Sequence, residues 1–185
     1  MRDLRTTPRF ELPTVKEATA YPLSDGDIRT ILGDDISILP YPALKDKATI
    51  DDVLDKHGRA IILYLNESPT VGHWVCLLRT RDGIEFFDPY GDPPDTQVDD
   101  VPAELRTQLE MDQPYLSHLL ANRRVRVNRH RFQAERRDVN TCGRWYVARL
   151  LYAGKPLSYF KRVVEKSGLS PNEFVVGLTA RWLKK

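Results

Sequence analysis

The chain has 185 residues, 41% hydrophobic and 29% charged, with a formal net charge of +2 and only two cysteines. That length suits one domain with a sizeable core, and two cysteines exclude a disulfide scaffold. A free thiol fits a reducing, intracellular setting, no apolar run reaches the roughly 18 residues of a membrane helix, and a polar start broken by Pro8 and Pro13 lacks the apolar stretch of a signal peptide.

Residues 1–16 read as a loose arm at the head of a single domain over 1–185. Ser24-Asp25-Gly26-Asp27, followed by Ile28, Ile31 and Leu32, predicts a short capped helix ending near Gly33. Thr49 predicts the cap of a second, running through Val53 and Leu54. Arg59 to Leu65 is an apolar, β-branched run of strand length, and Gly72 to Arg79 is another. Arg81-Asp82-Gly83 is a tight turn, after which Ile84 to Asp88 returns as a third strand. Gly91 to Pro94 breaks the chain, and Leu105 to Leu120 reads as helical with a break near Pro114. Val125 and Val127 alternate with arginines, the pattern of a half-buried strand. Gly143 to Tyr152 reads as a buried helix closed by Gly154, and Pro156 to Lys166 is amphipathic. Ser170-Pro171-Asn172-Glu173 is a capping box that opens a last helix to Leu183. This order predicts an α+β fold, a central and mainly antiparallel sheet flanked by helices.

Four residues carry candidate chemistry. Cys142 directly precedes the long apolar helix. There the dipole and unpaired backbone N–H groups favour thiolate, and Gly143 removes side-chain bulk where a substrate approaches. A small buried cysteine is the structural alternative. His73 stands at the mouth of a core strand, and Asp88 ends the next strand of the same hairpin. Hairpin geometry therefore brings the two close, and a carboxylate there fixes an imidazole tautomer. A satisfied core histidine and an exposed turn aspartate are the alternatives. Gln133 supplies an amide able to donate to an oxyanion together with the Cys142 N–H. No metal enters this chemistry.

In order, the segments GHWVCLL, FFDPYG, RFQ and NTCGRWYVARLL resemble the adenovirus-protease (adenain-like) family of cysteine proteases, which share a clan with the SUMO-specific proteases. The resemblance spans Gly72 to Leu151. It implies a papain-like cysteine protease fold of the adenain type, with Cys142 as nucleophile, His73 as base, Asp88 orienting His73 and Gln133 donating to the oxyanion. It also implies cleavage of capsid or core precursor proteins during virion maturation, in the infected cell and the virion. Trp74 would pack beside the catalytic pair, with Gly143 and Arg144 lining the substrate cleft. The chemistry requires no cofactor, and the resemblance leaves room for activation by DNA or by a peptide. Cys76 falls in a core strand, which argues against a disulfide-linked activator.

Charge is unevenly spread. Acidic residues dominate from Asp82 to Asp112, and seven arginines face one acidic residue, Glu135, between Arg123 and Arg137. Arg123, Arg124, Arg126, Arg129 and Arg131 are candidate phosphate contacts, with a solvated strand face or recognition of acidic substrate as alternatives. Three other functions fit the same residues. One is a deconjugase of SUMO or a similar modifier, and another is an acetyltransferase effector of the same clan. The third is a non-enzymatic interaction protein, against which the intact His-Asp-Gln-Cys set counts.

Overall fold

The computed structural model describes residues 18–19, 21–68, 71–133 and 141–180. The chain divides into two compact units, Asp35–Arg131 and the pair of segments Met1–Asp34 and Phe132–Lys185. The expected arm over 1–16, Arg136, Arg137 and the far end of the last helix lie outside the described residues.

The first unit is built on a five-stranded sheet in sequence order: β1 (Ser37–Pro40), β2 (Arg59–Ser68), β3 (Val71–Thr80), β4 (Gly83–Phe87) and β5 (Val125–Val127). The three central strands are antiparallel, as their short connections require. Both edges are parallel to their neighbours, β1 to β2 and β5 to β4, so the sheet is mixed rather than mainly antiparallel. Parallel pairing needs a crossover, and the chain provides two. One is the segment 41–58 with its 3-10 turns Tyr41–Asp46 and Ile50–Asp52. The other carries three short helices, α2 (Thr96–Asp99), α3 (Ala103–Gln108) and α4 (Tyr115–Leu120). The helix expected from Thr49 is thus a single 3-10 turn, held where Asp52 Oδ2 accepts from Thr49 N (2.8 Å) and Oγ1 (3.0 Å). The break expected near Pro114 is present: α3 ends at Gln108, Glu110 takes φ 54° in the turn, and α4 starts directly after Pro114.

Two glycines set the sheet geometry. A Cβ at Gly72 would lie 1.8 Å from Tyr64 O, in the irregular part of the β2–β3 ladder between Leu65 and Ser68. Gly83 has φ 141°, and a Cβ there would meet Arg124 O at 2.1 Å, so β5 reaches the hairpin only because the position has no side chain. One cluster joins Ala60, Ile62 and Tyr64 of β2, Val75 and Leu77 of β3, and Ile84 and Phe86 of β4 with Tyr41, Leu44 and the apolar residues of the crossovers. Each fully buried large apolar side chain contributes about 1.5–3 kcal/mol.

The second unit is helical: α1 (Asp25–Leu32), α5 (Cys142–Leu151), α6 (Leu157–Lys166) and α7 (Pro171–Ala180). Ser24 caps α1 in a full capping box, and Gly33 ends it at φ 97°. Helix α5 packs on α1 and α7 and is buried from Gly143 to Leu150. Its Trp145 ring meets Phe132 (5.3 Å), Phe174 (6.4 Å) and Phe160 (6.5 Å). Gly154 does not close this helix. It ends at Leu151, where Arg149 donates to Tyr152 O (2.8 Å) and Lys155 O (3.0 Å) from inside the core.

Candidate active site

His73 sits opposite Tyr64 in the β2–β3 register, on the strand face that also carries Val75 and Leu77. It is 9% exposed, and its Nε2 lies 3.0 Å from Asp88 Oδ1. An ionised carboxylate only accepts, so Nε2 carries the proton of this bond and Nδ1 is the nitrogen left for proton exchange.

The sequence Asp-Pro-Tyr-Gly explains how Asp88 is held. Gly91 N donates to Asp88 O (3.0 Å), closing a turn with aspartate first, proline second and glycine, at φ 87°, fourth. Tyr90 N donates back to Asp88 Oδ1 (2.8 Å), so the turn aims its own carboxylate. The same turn lays the Tyr90 ring on the His73 imidazole, centroids 4.8 Å apart. Asn128, fully buried just after β5, donates to Asp88 O (2.6 Å) and His130 O (2.9 Å), and accepts from His130 N (2.9 Å). Asp88 itself is fully buried, and its Oδ2 has no hydrogen-bond partner among the described residues. The bonds to Oδ1 therefore compensate much of the cost of burying the group. Tyr90 and Asn128 escape a reading of the sequence. Only the Asp-Pro-x-Gly turn pattern pointed near the first, and a lone asparagine after a short strand gives no signal.

The loop beyond this turn is pinned by a second buried carboxylate. Asp95, at φ 67°, accepts from Tyr41 Oη (2.7 Å), Tyr64 Oη (3.3 Å) and Ser117 N (2.8 Å), while Tyr64 Oη accepts from Asp95 N (3.1 Å). Burial first, then the Asp95 charge, pushes the Tyr41 and Tyr64 hydroxyls well above the ordinary tyrosine value. Trp74, on the strand face opposite His73, is half-buried and packs against the sheet core.

The remaining candidates belong to the helical unit. Cys142 is a half-buried cysteine that forms no disulfide with Cys76, and it is the first residue of α5. Thr141 O accepts from Arg144 N (2.9 Å) and Trp145 N (3.2 Å), and Thr141 Oγ1 donates to Asn172 of α7 (3.2 Å). The start of α5 is thereby fixed. A Cβ at Gly143 would meet Leu23 Cβ at 3.3 Å and Tyr146 Oη at 3.4 Å, so internal packing occupies the space that the sequence reserved for substrate. Arg144 points inward: it is 1% exposed and donates to Thr179 Oγ1 (2.6 Å). Burial pushes its guanidinium below the ordinary arginine value, partly offset by the charge of Asp27. Gln133 is buried and follows Phe132, whose ring packs on Trp145 of α5. The fold thus brings His73 and Asp88 together in one unit, while Cys142 and Gln133 belong to the other.

Among the candidate phosphate contacts, Arg123 donates to Asp51 (2.9 Å), a carboxylate it shares with Arg79. The Arg79 contact holds the Asp51 carboxyl below its ordinary value. Arg124, Arg126, Arg129 and Arg131 are exposed, with Arg126 at the centre of edge strand β5. Among the described residues, no helix is long and apolar enough to cross a membrane.

No family model matches the chain, and neither does any solved structure. It is similar to the "Uncharacterized protein V9" of Sputnik virophage, 36% identical in an alignment of 164 residues that covers 85% of this chain and 93% of that protein. Identity of that extent, over nearly the full length of the relative, shows kinship, and the chain belongs to the family of the Sputnik virophage protein V9.

Proposed function

We propose that this chain is a cysteine endopeptidase of the adenain-like type, acting on capsid or core precursor proteins in a viral setting. The observation that carries the reading is the buried His73 Nε2–Asp88 Oδ1 bond, with the imidazole stacked under Tyr90. An imidazole anchored at Nε2 and stacked under an aromatic ring keeps Nδ1 as its nitrogen for proton exchange.

In the proposed mechanism His73 Nδ1 takes the Cys142 proton, and the thiolate attacks the substrate carbonyl. Backbone N–H groups at the start of α5 and the Gln133 amide receive the developing oxyanion. His73 then protonates the leaving amine as the C–N bond breaks. Water, deprotonated by the same nitrogen, attacks the thioester and restores the thiol. The place of Cys142 at the first position of α5 supports its role, since the helix dipole favours thiolate there. The contact of Phe132 with Trp145 supports a position for Gln133 near that helix. Kinship with a virophage protein supports the viral setting. The exposed Arg124, Arg126 and Arg129 support nucleic acid as an activator or anchor.

The deciding experiment is labelling with a cysteine-directed peptide electrophile. Wild type is expected to react at Cys142, with Cys142→Ala silent and His73→Ala slowed by roughly 10²-fold at neutral pH. Labelling at buried Cys76, or a rate indifferent to His73, overturns the proposal. Cleavage of capsid precursors against modifier conjugates separates the endopeptidase from a deconjugase.

A further inference from the structure

A cleft of 340 Å³ opens beside His73, within the size range of small-ligand sites. His73 forms part of its wall, Leu65, Val101 and Pro102 give it apolar surface, and Gln97 and Asp100 face it with polar groups. We propose that this cleft is a subsite for a basic side chain, lysine or arginine, of the polypeptide substrate, an inference that rests on the endopeptidase reading.

The lining suits such a side chain in both its parts. Leu65 and Val101 are buried, a surface for an aliphatic stem. Among the polar groups of the lining, Asn66 and Gln97 can donate and accept, and Asp100 brings the carboxylate. Gln97 Nε2 donates to Asp92 (3.2 Å), which takes up one of its two N–H groups. Asp100 is exposed and makes no ion pair among the described residues, unlike neighbouring Asp99, which pairs with Arg106 at 3.5 Å. An acidic substrate side chain would meet the repelling charge of Asp100.

The cleft is also rigid in the places that matter. Tyr64 is the register partner of His73 and binds the Asp95 main chain at 3.1 Å, immediately before α2. Helix α2 ends at Asp99, and Val98 and Val101 anchor either side of Asp100 in the core. The wall bearing Asp100 and the strand bearing His73 are therefore referenced to one tyrosine. A side chain seated here lies beside the proposed base, so it belongs to a substrate residue close to the scissile bond.

The test has two arms. In the first, full-length Cys142→Ala protein is titrated with acetyl-lysinamide, acetyl-norleucinamide and acetyl-glutamate while the His73 ring resonances are followed by NMR. Lysinamide is expected to shift them saturably and to bind about fivefold tighter than norleucinamide, the upper range for a solvent-facing ion pair. Glutamate is expected to bind more weakly still. Asp100→Asn should remove that preference, and Asp100→Lys should reverse it toward glutamate. Equal binding of lysinamide and norleucinamide, or a preference unmoved by either Asp100 variant, overturns the subsite. In the second arm, wild type is given a peptide library. Cleavage with no preference for lysine or arginine at any position overturns the subsite while leaving the endopeptidase standing. Selective lysinamide binding with no peptide cleaved has the opposite meaning: the cation site stands and the endopeptidase reading falls.

Discussion

The ring of Tyr90 covers the imidazole of His73 at a centroid distance of 4.8 Å, with the planes 25° apart. One four-residue turn thus provides the carboxylate that holds a ring nitrogen and the aromatic face that stops the ring from rotating. If the rotamer of His73 is what Tyr90 secures, an aromatic ring is needed there and a hydroxyl is not. Tyr90→Phe should keep kcat/KM within about threefold, and Tyr90→Ala should lower it by roughly 10- to 100-fold. Tyr90→Ala should also flatten the pH profile of Cys142 alkylation, a change that a purely structural role would not produce.

Asp88→Asn tests the charge apart from the shape. The amide oxygen can still accept from Tyr90 N, so the turn should survive, with a loss of about 1–3 kcal/mol because the amide N–H groups replace an Oδ2 that has no partner among the described residues. The negative charge that stabilises an imidazolium is lost, and kcat should fall by roughly 10²- to 10⁴-fold. A variant with wild-type kcat would remove Asp88 from the mechanism. Asp88→Ala should also lose stability, because Tyr90 N then has no side-chain acceptor.

Gly72→Ala tests how His73 is placed. The added methyl would stand 1.8 Å from Tyr64 O, a backbone atom that cannot swing aside, one residue before His73. Destabilisation by about 1–3 kcal/mol is expected, read as a lowered urea midpoint. Activity should fall further than stability accounts for, because the Tyr64–His73 pair is what shifts.

Tyr41 and Tyr64 predict the alkaline limit of the fold. Their folded-state hydroxyls ionise above the ordinary value. The stability they contribute is fully present below about pH 10, the unfolded tyrosine value, and is lost as pH climbs beyond it toward the folded values. In a near-ultraviolet titration of the eight tyrosines, these two should ionise only as the chain unfolds. Tyr41→Phe should shrink that late phase, and a reversible titration of Tyr41 near pH 10 in the folded protein contradicts the network.

The arginines predict a salt dependence. Arg124→Ala with Arg126→Ala should weaken retention on double-stranded DNA and reduce the slope of log affinity against log salt by about two. Arg123→Ala should act differently, lowering stability through Asp51 as well as affinity. No binding at low salt would end the nucleic-acid reading.

Local signals made much of this fold readable. The central strands, the α1 cap at Ser24 and the α7 capping box at Ser170 follow from period-two runs and capping residues that act within a few positions. Edge strand β1 is four residues long and paired in parallel, so nothing near it in sequence announces it. At the site, His73 and Asp88 were legible because one hairpin joins them. Tyr90 and Asn128 were not, because their roles depend on where a turn and a distant strand end in space. Gly143 and Arg144 were read outward, toward substrate, but α5 is buried along nearly its whole length and turns both inward.

The Asp95 carboxylate serves Tyr41 from the first crossover, Tyr64 from β2 and the Ser117 amide of α4. Three stretches far apart along the chain thus share a single acceptor group, and withdrawal of that carboxylate strands all three at once. Opening there is all or none, so amide hydrogens along the acidic loop should exchange together, through one concerted excursion rather than by piecemeal fraying.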